Sequence, residues 1–217
     1  ISLPEMNYTF DIKLSYGSVT GNSAGLGGGL FVSKGEVTSE RSGNAVLEIS
    51  QNTGYQNGAG IYIQDGSLSM ANGNITGNSI SGNGNGGGIF IENGDFTINA
   101  GEISGNSVGN GNGGGVYIVG SGDLGNFVMN GGSITGNSAT GTQEDTGFGG
   151  GIYVNGGNFT MTEEAALGMI SSNAATRDGG GVYISGGKFQ QDNGSISSNV
   201  SEADGGGVCI VNGGSFT

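Results

Sequence analysis

Short apolar segments recur along this chain, separated by runs of glycine, asparagine and serine. The clearest segment has glycines followed by an aliphatic, an aromatic and an aliphatic residue, as in GGGIFI at 86–91. Its first aliphatic residues are Leu30, Ile61, Ile89, Val116, Ile152, Val182 and Val208. They lie 26 to 36 residues apart. Inward and outward positions alternate within such short segments, and the apolar residues show no helical period, so each segment predicts a β-strand.

Two further segments recur in phase with the first. One has the form glycine, any residue, aliphatic, Ser/Thr, any residue, Asn, as in GNITGN at 73–78 and GSITGN at 132–137. The other is a short apolar strand about seven residues after the glycine motif. It is marked by Val37, Leu68, Phe96, Phe127, Phe159, Phe189 and Phe216. Each repeat therefore predicts three short strands joined by tight turns.

Strands this short cannot bury their apolar residues alone, so the repeats must stack on one another. Stacking at the strand spacing of about 4.8 Å pairs each strand with its neighbours in the coils above and below. The sequence thus predicts an all-β fold, a single-stranded right-handed parallel β-helix (solenoid). It would have about seven coils of 26–36 residues with three short strands each. Right-handed winding is the expected hand for parallel crossovers.

The turns carry a pattern of their own. The glycine motif predicts sharp turns with positive φ and close backbone approach. The turns also contain a recurring asparagine, which tolerates the left-handed conformation and whose side-chain amide can bond to the copy in the next coil when the coils stack in register. These asparagines are Asn22, Asn52, Asn78, Asn106, Asn137, Asn173 and Asn199.

We expect one β-helix domain over 1–217, with repeats at 17–217 and insertions at 39–46, 139–148 and 162–168. Residues 1–16 form a partial coil, in which Ile12 and Leu14 occupy the positions of the phenylalanine strand. Both ends fall in the middle of a coil. This predicts either a fragment of a longer protein or a unit that associates end to end.

Charge and composition narrow the classes of partner. The formal net charge is −13, with five scattered basic residues, which leaves no footprint for nucleic acid or an anionic membrane. No apolar run is long enough to insert into a bilayer. There is no histidine, and Cys209 is the one cysteine, so an internal disulfide is excluded.

These motifs resemble the Gly-rich right-handed β-helix repeats of bacterial surface proteins. They are similar to chlamydial polymorphic outer-membrane proteins and autotransporter passengers, which carry GGA-I and F-x-x-N signatures. The second signature fits at Phe96–Asn99 and Phe127–Asn130 but not at Phe159 or Phe189, and the glycine motif is mostly GGG-I. The resemblance implies an adhesin-like part that is secreted or displayed on the cell surface, and no catalytic residue carries over.

The aromatic position of the glycine motif is the first candidate binding feature. If its aliphatic neighbours point inward, the aromatic side chains form an external column. That column could stack against sugar rings, since exposed apolar patches often mark binding sites. Alternatively, the rings stack on one another and shield the sheet. The candidates are Phe90, Tyr117, Tyr153 and Tyr183.

The insertions give a second candidate, since function tends to sit in loops on a rigid scaffold. Loops 139–148 and 162–168 would wall a shallow groove floored by Thr135 and Ser171. These two hydroxyls belong to a Ser/Thr ladder that otherwise predicts a solvated strand exterior. The rims would carry four acids, Glu144, Asp145, Glu163 and Glu164.

Catalysis is the less favoured use of that groove. Glycoside hydrolysis needs two carboxylates about 5–10 Å apart, a demand that acids on flexible rims rarely meet. A chain without histidine also lacks a ready base near neutral pH.

We therefore expect an extracellular or cell-surface protein, structural or adhesin-like and not an enzyme. It would present a face to a glycan or to a host or cell-surface protein. No cofactor is expected, although the acidic loops leave room for adventitious Ca²⁺. The alternatives are a fragment of a polysaccharide lyase or glycoside hydrolase and a self-stacking filament subunit.

Overall fold

The computed structural model describes residues 11–14, 16–40, 46–165 and 167–217, and the regular structure there is entirely β. Its strands pair in parallel, each with the equivalent strand of the next coil. This pairing makes four sheets that run along the stack. The described residues include no helix that is long and apolar enough to cross a bilayer.

The four sheets are numbered in the order in which a coil visits them. Sheet 1 contains β2 (Gly17–Thr20), β6 (Leu47–Ser50), β10 (Gly73–Thr76), β14 (Gly101–Ser104), β18 (Ser133–Thr135), β22 (Met169–Ser171) and β26 (Ser195–Ser197). Sheet 2 contains β3 (Ser23–Leu26), β7 (Thr53–Asn57), β11 (Ser79–Asn83), β15 (Ser107–Asn110), β19 (Ser138–Ala139), β23 (Ala174–Ala175) and β27 (Val200–Ser201). Sheet 3 contains β4 (Leu30–Val32), β8 (Ile61–Ile63), β12 (Ile89–Glu92), β16 (Val116–Val119), β20 (Ile152–Asn155), β24 (Val182–Ser185) and β28 (Val208–Val211). Sheet 4 contains β1 (Asp11–Leu14), β5 (Glu36–Ser39), β9 (Ser67–Met70), β13 (Asp95–Ile98), β17 (Asn126–Met129), β21 (Asn158–Met161), β25 (Lys188–Gln191) and β29 (Ser215–Phe216).

The predicted parallel solenoid is confirmed, but the prediction of three strands per coil is wrong. Each full coil has four strands, and sheet 2 is the one that the sequence pattern missed. The side chains at its inward positions differ too much in size to give a repeating apolar signal in the sequence. They are occupied by Ala24, Gly54, Ile80, Val108, Ala139 and Ala175.

The register stacks like residues on like. Ile75 lies opposite Ile49 on one side and Ile103 on the other. At the start of the described chain, Ile12 lies opposite Val37, which confirms its predicted place in the phenylalanine strand. Residues 1–10, 15 and 41–45 lie outside the described part, and with them most of the partial first coil and most of the 39–46 insertion.

One continuous apolar core fills the space between sheets 1, 3 and 4. Isoleucines of sheet 1 such as Ile75 and Ile103 are completely buried. The phenylalanines of sheet 4 stack from Phe96 to Phe216 with ring centroids 4.6 to 5.2 Å apart. Burial of each such side chain contributes about 1.5–3 kcal/mol. A small separate cluster lies under sheet 2.

A ladder of asparagines follows the turn from sheet 1 to sheet 2, as predicted. In its middle, the Oδ1 atom of Asn106 accepts hydrogen bonds from the backbone N–H and the Nδ2 atom of Asn78, both at 2.9 Å. The Nδ2 atom of Asn106 donates to the carbonyl oxygen of Ile75 at 2.8 Å and to the Oδ1 atom of Asn137 at 3.0 Å. Each buried amide is therefore satisfied by the coils on either side of it.

These asparagines do not themselves adopt the left-handed φ that this residue type tolerates. The left-handed residue is the one before each asparagine, as at Gln51 with φ 55° and Gly77 with φ 63°. The chain turns sharply at that residue. The N–H of the following asparagine then points along the stack to the Oδ1 atom of the asparagine in the next coil.

The glycine motif has the conformation expected of it. Gly86 is left-handed with φ 70°. A Cβ atom on Gly88 would lie 2.6 Å from the carbonyl oxygen of Gly115 and 3.0 Å from the Nδ2 atom of Asn106. The third glycine is therefore needed where the chain crosses the asparagine ladder. The predicted hand of winding stays a prediction.

Candidate functional site

The aromatic residues of sheet 3 stack face to face along the rod. They lie beside one another in the parallel register, as Phe90 does between Tyr62 and Tyr117. Neighbouring ring centroids from Phe31 to Tyr183 are 4.8 to 5.3 Å apart. The rings form a cluster separate from the main core, so they point to the outer side of the sheet, as predicted.

The predicted exposure of this column is wrong for most of its rings. Tyr62, Phe90, Tyr117 and Tyr183 are only 5–8% exposed, and Phe31 at the first described coil is 45% exposed. Rings one strand spacing apart cover each other's faces, because that spacing is close to a stacking distance. The ring faces that a sugar would need are already in contact with other rings.

The phenol groups of the column are held in place as well. The hydroxyl of Tyr62 donates to the carboxylate of Glu92. The hydroxyl of Tyr117 accepts a hydrogen bond from the Nδ2 atom of Asn155 at 3.1 Å. Burial raises the pKa of Tyr117 and of Tyr183 to about 12, so both phenols are neutral at physiological pH. These contacts favour the alternative interpretation, in which the rings shield the sheet.

Cys209 occupies the same column position after Tyr183. Burial raises the pKa of its thiol, and the carboxylates of Asp178 and Asp204 raise it further. The thiol therefore stays protonated near neutral pH, which makes it a weak nucleophile.

The predicted groove between the two insertions is wrong, because the insertions flank different sheets. Residues 139–148 join sheet 2 to sheet 3, whereas 162–168 join sheet 4 to sheet 1. Thr135 and Ser171 lie in sheet 1 with their hydroxyl oxygens 3.5 Å apart, and Ser171 is buried. Sheet 2, which the sequence pattern missed, separates this hydroxyl pair from the 139–148 insertion.

The four acids of that predicted groove are therefore dispersed. Glu163 and Glu164 are exposed on the 162–168 insertion, which is anchored by Ala165 in the main core. Glu144 and Asp145 are exposed on the 139–148 insertion. Of the four, only Asp145 lines a surface groove of the described part of the chain that we consider below.

Side-chain amides line that groove, which has a volume of about 350 Å³. It lies where the strands of sheet 2 end, just before the glycine motif, and the 139–148 insertion closes one side of it. We call it the amide groove. Its lining consists of Gln56, Asn57, Asn83, Gly84, Asn85, Asn110, Gly111, Asn112, Gln143, Asp145 and Thr146.

The inner wall of the amide groove is a second asparagine ladder. The Oδ1 atom of Asn57 accepts from the backbone N–H of Asn85, and the Oδ1 atom of Asn85 accepts from that of Asn112, both at 2.9 Å. The insertion completes the ladder, because the backbone N–H of Phe148 donates to the Oδ1 atom of Asn112 at 2.9 Å. Each of these side chains is thereby held by the following coil.

The outer wall is more exposed. The Nδ2 atom of Asn110 donates to the Oδ1 atom of Asn83. The hydroxyl of Thr146 donates to the Oδ1 atom of Asn110 at 3.2 Å, so the insertion joins this wall too. Gln56 and Gln143 are exposed at the two ends.

The floor of the amide groove cannot carry side chains. A Cβ atom on Gly84 would lie 1.6 Å from the carbonyl oxygen of Gln56, and one on Gly111 would lie 1.6 Å from that of Gly84. Glycine at both positions lets the coils approach closely and leaves the floor open between the two amide walls.

Asp145 is the one ionisable side chain among the described residues that line the amide groove. Arg177 contacts the insertion, with a guanidinium nitrogen 3.5 Å from the carbonyl oxygen of Gln143 and its guanidinium carbon 5.9 Å from the centroid of the Phe148 ring. The side chains that line the groove are therefore polar, with one carboxylate among them, and the guanidinium of Arg177 lies at the end of the groove beside Gln143.

Two other concave regions lie on the surface of the described residues. One of about 400 Å³ has Lys34 beside the acids Glu36, Asp65 and Asp95, and one of about 200 Å³ lies on the small residues of sheet 2. Within the described residues, no three His, Cys, Asp or Glu side chains form a group that could hold a metal ion.

The sequence does contain a signal for the amide groove, which our sequence interpretation did not use. The motif GNGNGGG occurs twice, at 82–88 and at 109–115, and QNGAG at 56–60 is a related form. Asparagines that alternate with glycines directly before the glycine motif recur at one-coil spacing. A repeat of this kind predicts amide side chains stacked along one edge of the rod.

Comparison with known proteins adds no family to this description. Neither the protein-family models, nor the curated proteins, nor the solved structures that were searched contain a match to this chain. The class that the structure defines is a parallel β-solenoid, and the resemblance to chlamydial and autotransporter repeats stays a prediction from the motifs.

Proposed function

We propose that this chain is part of an extracellular or cell-surface β-solenoid, structural or adhesin-like, that presents the amide groove as a binding face. Its partner is a glycan or a protein of another cell or surface. The observation that carries the proposal is the alignment of side-chain amides from successive coils along the groove. Side-chain amides from successive coils line both of its walls, and those of the inner wall are held by the following coil.

The surface location rests on the sequence. The F-x-x-N and glycine motifs, similar to those of bacterial surface repeats, support a displayed or secreted protein. The acidic net charge of −13 also supports a soluble, exposed surface and argues against nucleic acid as a partner.

Binding rather than catalysis is proposed for the same surface. Exposed acids such as Glu163 and Glu144 lie on insertions at different corners of the coil, which does not favour a paired carboxylate mechanism. The proposed site also needs no cofactor, because amides and hydroxyls bind through direct hydrogen bonds.

A binding screen with matched amide variants tests this proposal. The purified chain is applied to a glycan array and to cell-surface extracts, in parallel with the double variant Gln56→Ala/Gln143→Ala. The control double variant is Asn99→Ala/Asn130→Ala, which removes a pair of bonded amides at the end of the sheet 4 strands. We expect ligand capture to be lost with the groove variant alone. Capture that is equal in both variants would contradict the proposal.

A further inference from the structure

The inner wall of the amide groove contains amide donors that the fold does not use. The Nδ2 atom of Asn112 donates to the backbone carbonyl oxygen of Asp145 at 2.8 Å. The equivalent Nδ2 atoms of Asn57 and Asn85 have no hydrogen-bond acceptor among the described residues, although their Oδ1 atoms are bound in the same way. In one coil, a carbonyl oxygen of the 139–148 insertion therefore occupies the position at which a ligand oxygen could accept from the Nδ2 atoms of the other coils.

The geometry of the backbone argues against a peptide strand as the ligand. The N–H groups of Gly58 and Gly86 donate to the carbonyl oxygens of Asn85 and Asn112 in the next coil, at 3.0 Å each. Because the coil-to-coil bonds use these backbone groups, the groove offers no open strand edge for β-augmentation. A ligand must be recognised by the side-chain amides.

An amide side chain both donates and accepts hydrogen bonds, and so does a hydroxyl group. Among the described residues that line the amide groove, none has an aromatic side chain or an aliphatic one larger than the methyl group of Thr146. Its chemistry therefore fits a ligand whose surface consists of many hydroxyl groups, and does not fit an apolar ligand.

The charged groups of the site further restrict the class of glycan that it can bind. The exposed carboxylate of Asp145 and the absence of Lys or Arg from the lining disfavour a carboxylated or sulfated ligand. The same carboxylate accepts hydrogen bonds from hydroxyl donors.

We infer that the amide groove binds a neutral, hydroxyl-rich glycan, aligned along the rod so that its oxygens accept from the Nδ2 atoms of Asn57 and Asn85. This inference rests on the proposed function and names the ligand class for the same site. Asp145 acts as the specificity residue that excludes acidic glycans.

Calorimetric titration with two sets of glycans tests the inference. The probes are neutral oligomers of glucose, galactose, mannose and N-acetylglucosamine, and uronic-acid oligomers of matched length. The proteins are the intact chain, Gln56→Ala/Gln143→Ala, Asp145→Asn, and the control Asn99→Ala/Asn130→Ala.

At least one neutral oligomer is expected to bind, and the matched acidic oligomer to bind about tenfold more weakly or not at all. The groove double variant should weaken neutral binding by about tenfold, because Gln56 and Gln143 are the exposed amides at the two ends of the groove, where a glycan aligned along the rod would pass. Asp145→Asn should reduce the ratio of the affinities for neutral and acidic oligomers by about threefold. This effect should become smaller with added salt. The control variant should bind as the intact chain does.

Four results would overturn the inference. Acidic oligomers that bind as tightly as neutral ones would remove the role of Asp145. Neutral binding that survives Gln56→Ala/Gln143→Ala would place the ligand elsewhere. No binding to any neutral oligomer, together with groove-dependent capture of a protein, would overturn the glycan ligand while leaving the proposed binding function intact. Failure of every partner class to depend on the groove would overturn both.

Discussion

Replacing Asn106 with alanine removes four side-chain hydrogen bonds from the middle of the buried asparagine ladder. The groups that lose a bond include two backbone groups, the N–H of Asn78 and the carbonyl oxygen of Ile75. Asn106 is completely buried, so alanine leaves no polar atom in its place. Asn78 and Asn137 each keep a further partner for their side chains.

The cost follows from the groups that are left unsatisfied. The N–H of Asn78 is left without a partner, and a buried donor in that state costs about 1–3 kcal/mol, whereas the carbonyl oxygen of Ile75 lies in a strand paired on both sides and loses only an additional donor. A loss of this size is a substantial fraction of the stability of a typical domain, which is about 5–15 kcal/mol. Each coil contacts only its neighbours, so the lost hydrogen bonds are expected to weaken the interface between adjacent coils at Asn106 and to favour local unfolding there.

Urea unfolding followed by circular dichroism measures the loss as a lower unfolding midpoint. Asn130→Ala is the matched control, because its Nδ2 atom donates to Asn99 at 2.8 Å on an exposed turn where water can replace the bond. We expect the control to lose less than about 1 kcal/mol. Equal losses in the two variants would refute the assignment of the buried ladder as a stabilising element.

Three further predictions concern the core, the floor of the groove and the aromatic column. Phe127→Ala, in the middle of the phenylalanine stack, should lower the free energy of unfolding by about 3–5 kcal/mol in urea. Gly84→Ala should cost about 2–4 kcal/mol in the same assay and weaken ligand binding, because its Cβ atom would lie 1.6 Å from a carbonyl oxygen. Folded Tyr117, with its pKa raised to about 12, keeps a proton that the unfolded phenol loses near pH 10, so stability should fall as pH rises from about 10 to 12. Tyr117→Phe should flatten that fall by up to about 1.4 kcal/mol per pH unit.

Each of these predictions has a matched comparison. Phe31 is 45% exposed, and Phe31→Ala should cost less than about 1.5 kcal/mol; a loss as large as that of Phe127→Ala would contradict the core assignment. A Cβ atom on Gly82 meets no atom within 4 Å, so Gly82→Ala should change stability by less than about 1 kcal/mol. If Gly82→Ala and Gly84→Ala are equally harmful, close approach is not the cause. An unchanged alkaline stability profile in Tyr117→Phe would show that Tyr117 is not the titrating group.

The sequence contains the part of the fold that large side chains specify. Isoleucines such as Ile75 and phenylalanines such as Phe96 repeat at fixed offsets, and their register in the sheets matches those offsets. Sheet 2 could not be found in this way, because Gly54 and Ala139 occupy the same inward positions as Ile80 and give no repeating large apolar residue. Small residues suffice there since the Gly-rich turn passes close beneath, where a Cβ atom on Gly54 would lie 3.0 Å from the Cα atom of Ala59.

The sequence was less informative about the site. Period-two alternation correctly placed Tyr117 on the outer side of its strand, but it cannot say what covers a side chain there. The rings of the adjacent coils cover Tyr117, and these contacts depend on three-dimensional stacking. Asn83 and Asn85 resemble ordinary turn residues when one coil is considered alone; their repeat at Asn110 and Asn112 is the sequence signal, and the structure shows the hydrogen bonds that join the copies.

The central claim is that the amide groove is the binding face of this solenoid. The most direct measurement follows the side-chain amide resonances of the protein by NMR during titration with a neutral oligosaccharide. The account predicts shifts at the Nδ2 groups of Asn57 and Asn85 and at Gln56 and Gln143, and none at Asn99 and Asn130 in the turn after sheet 4. Shifts confined to Asn99 and Asn130, with the groove amides unchanged, would contradict it.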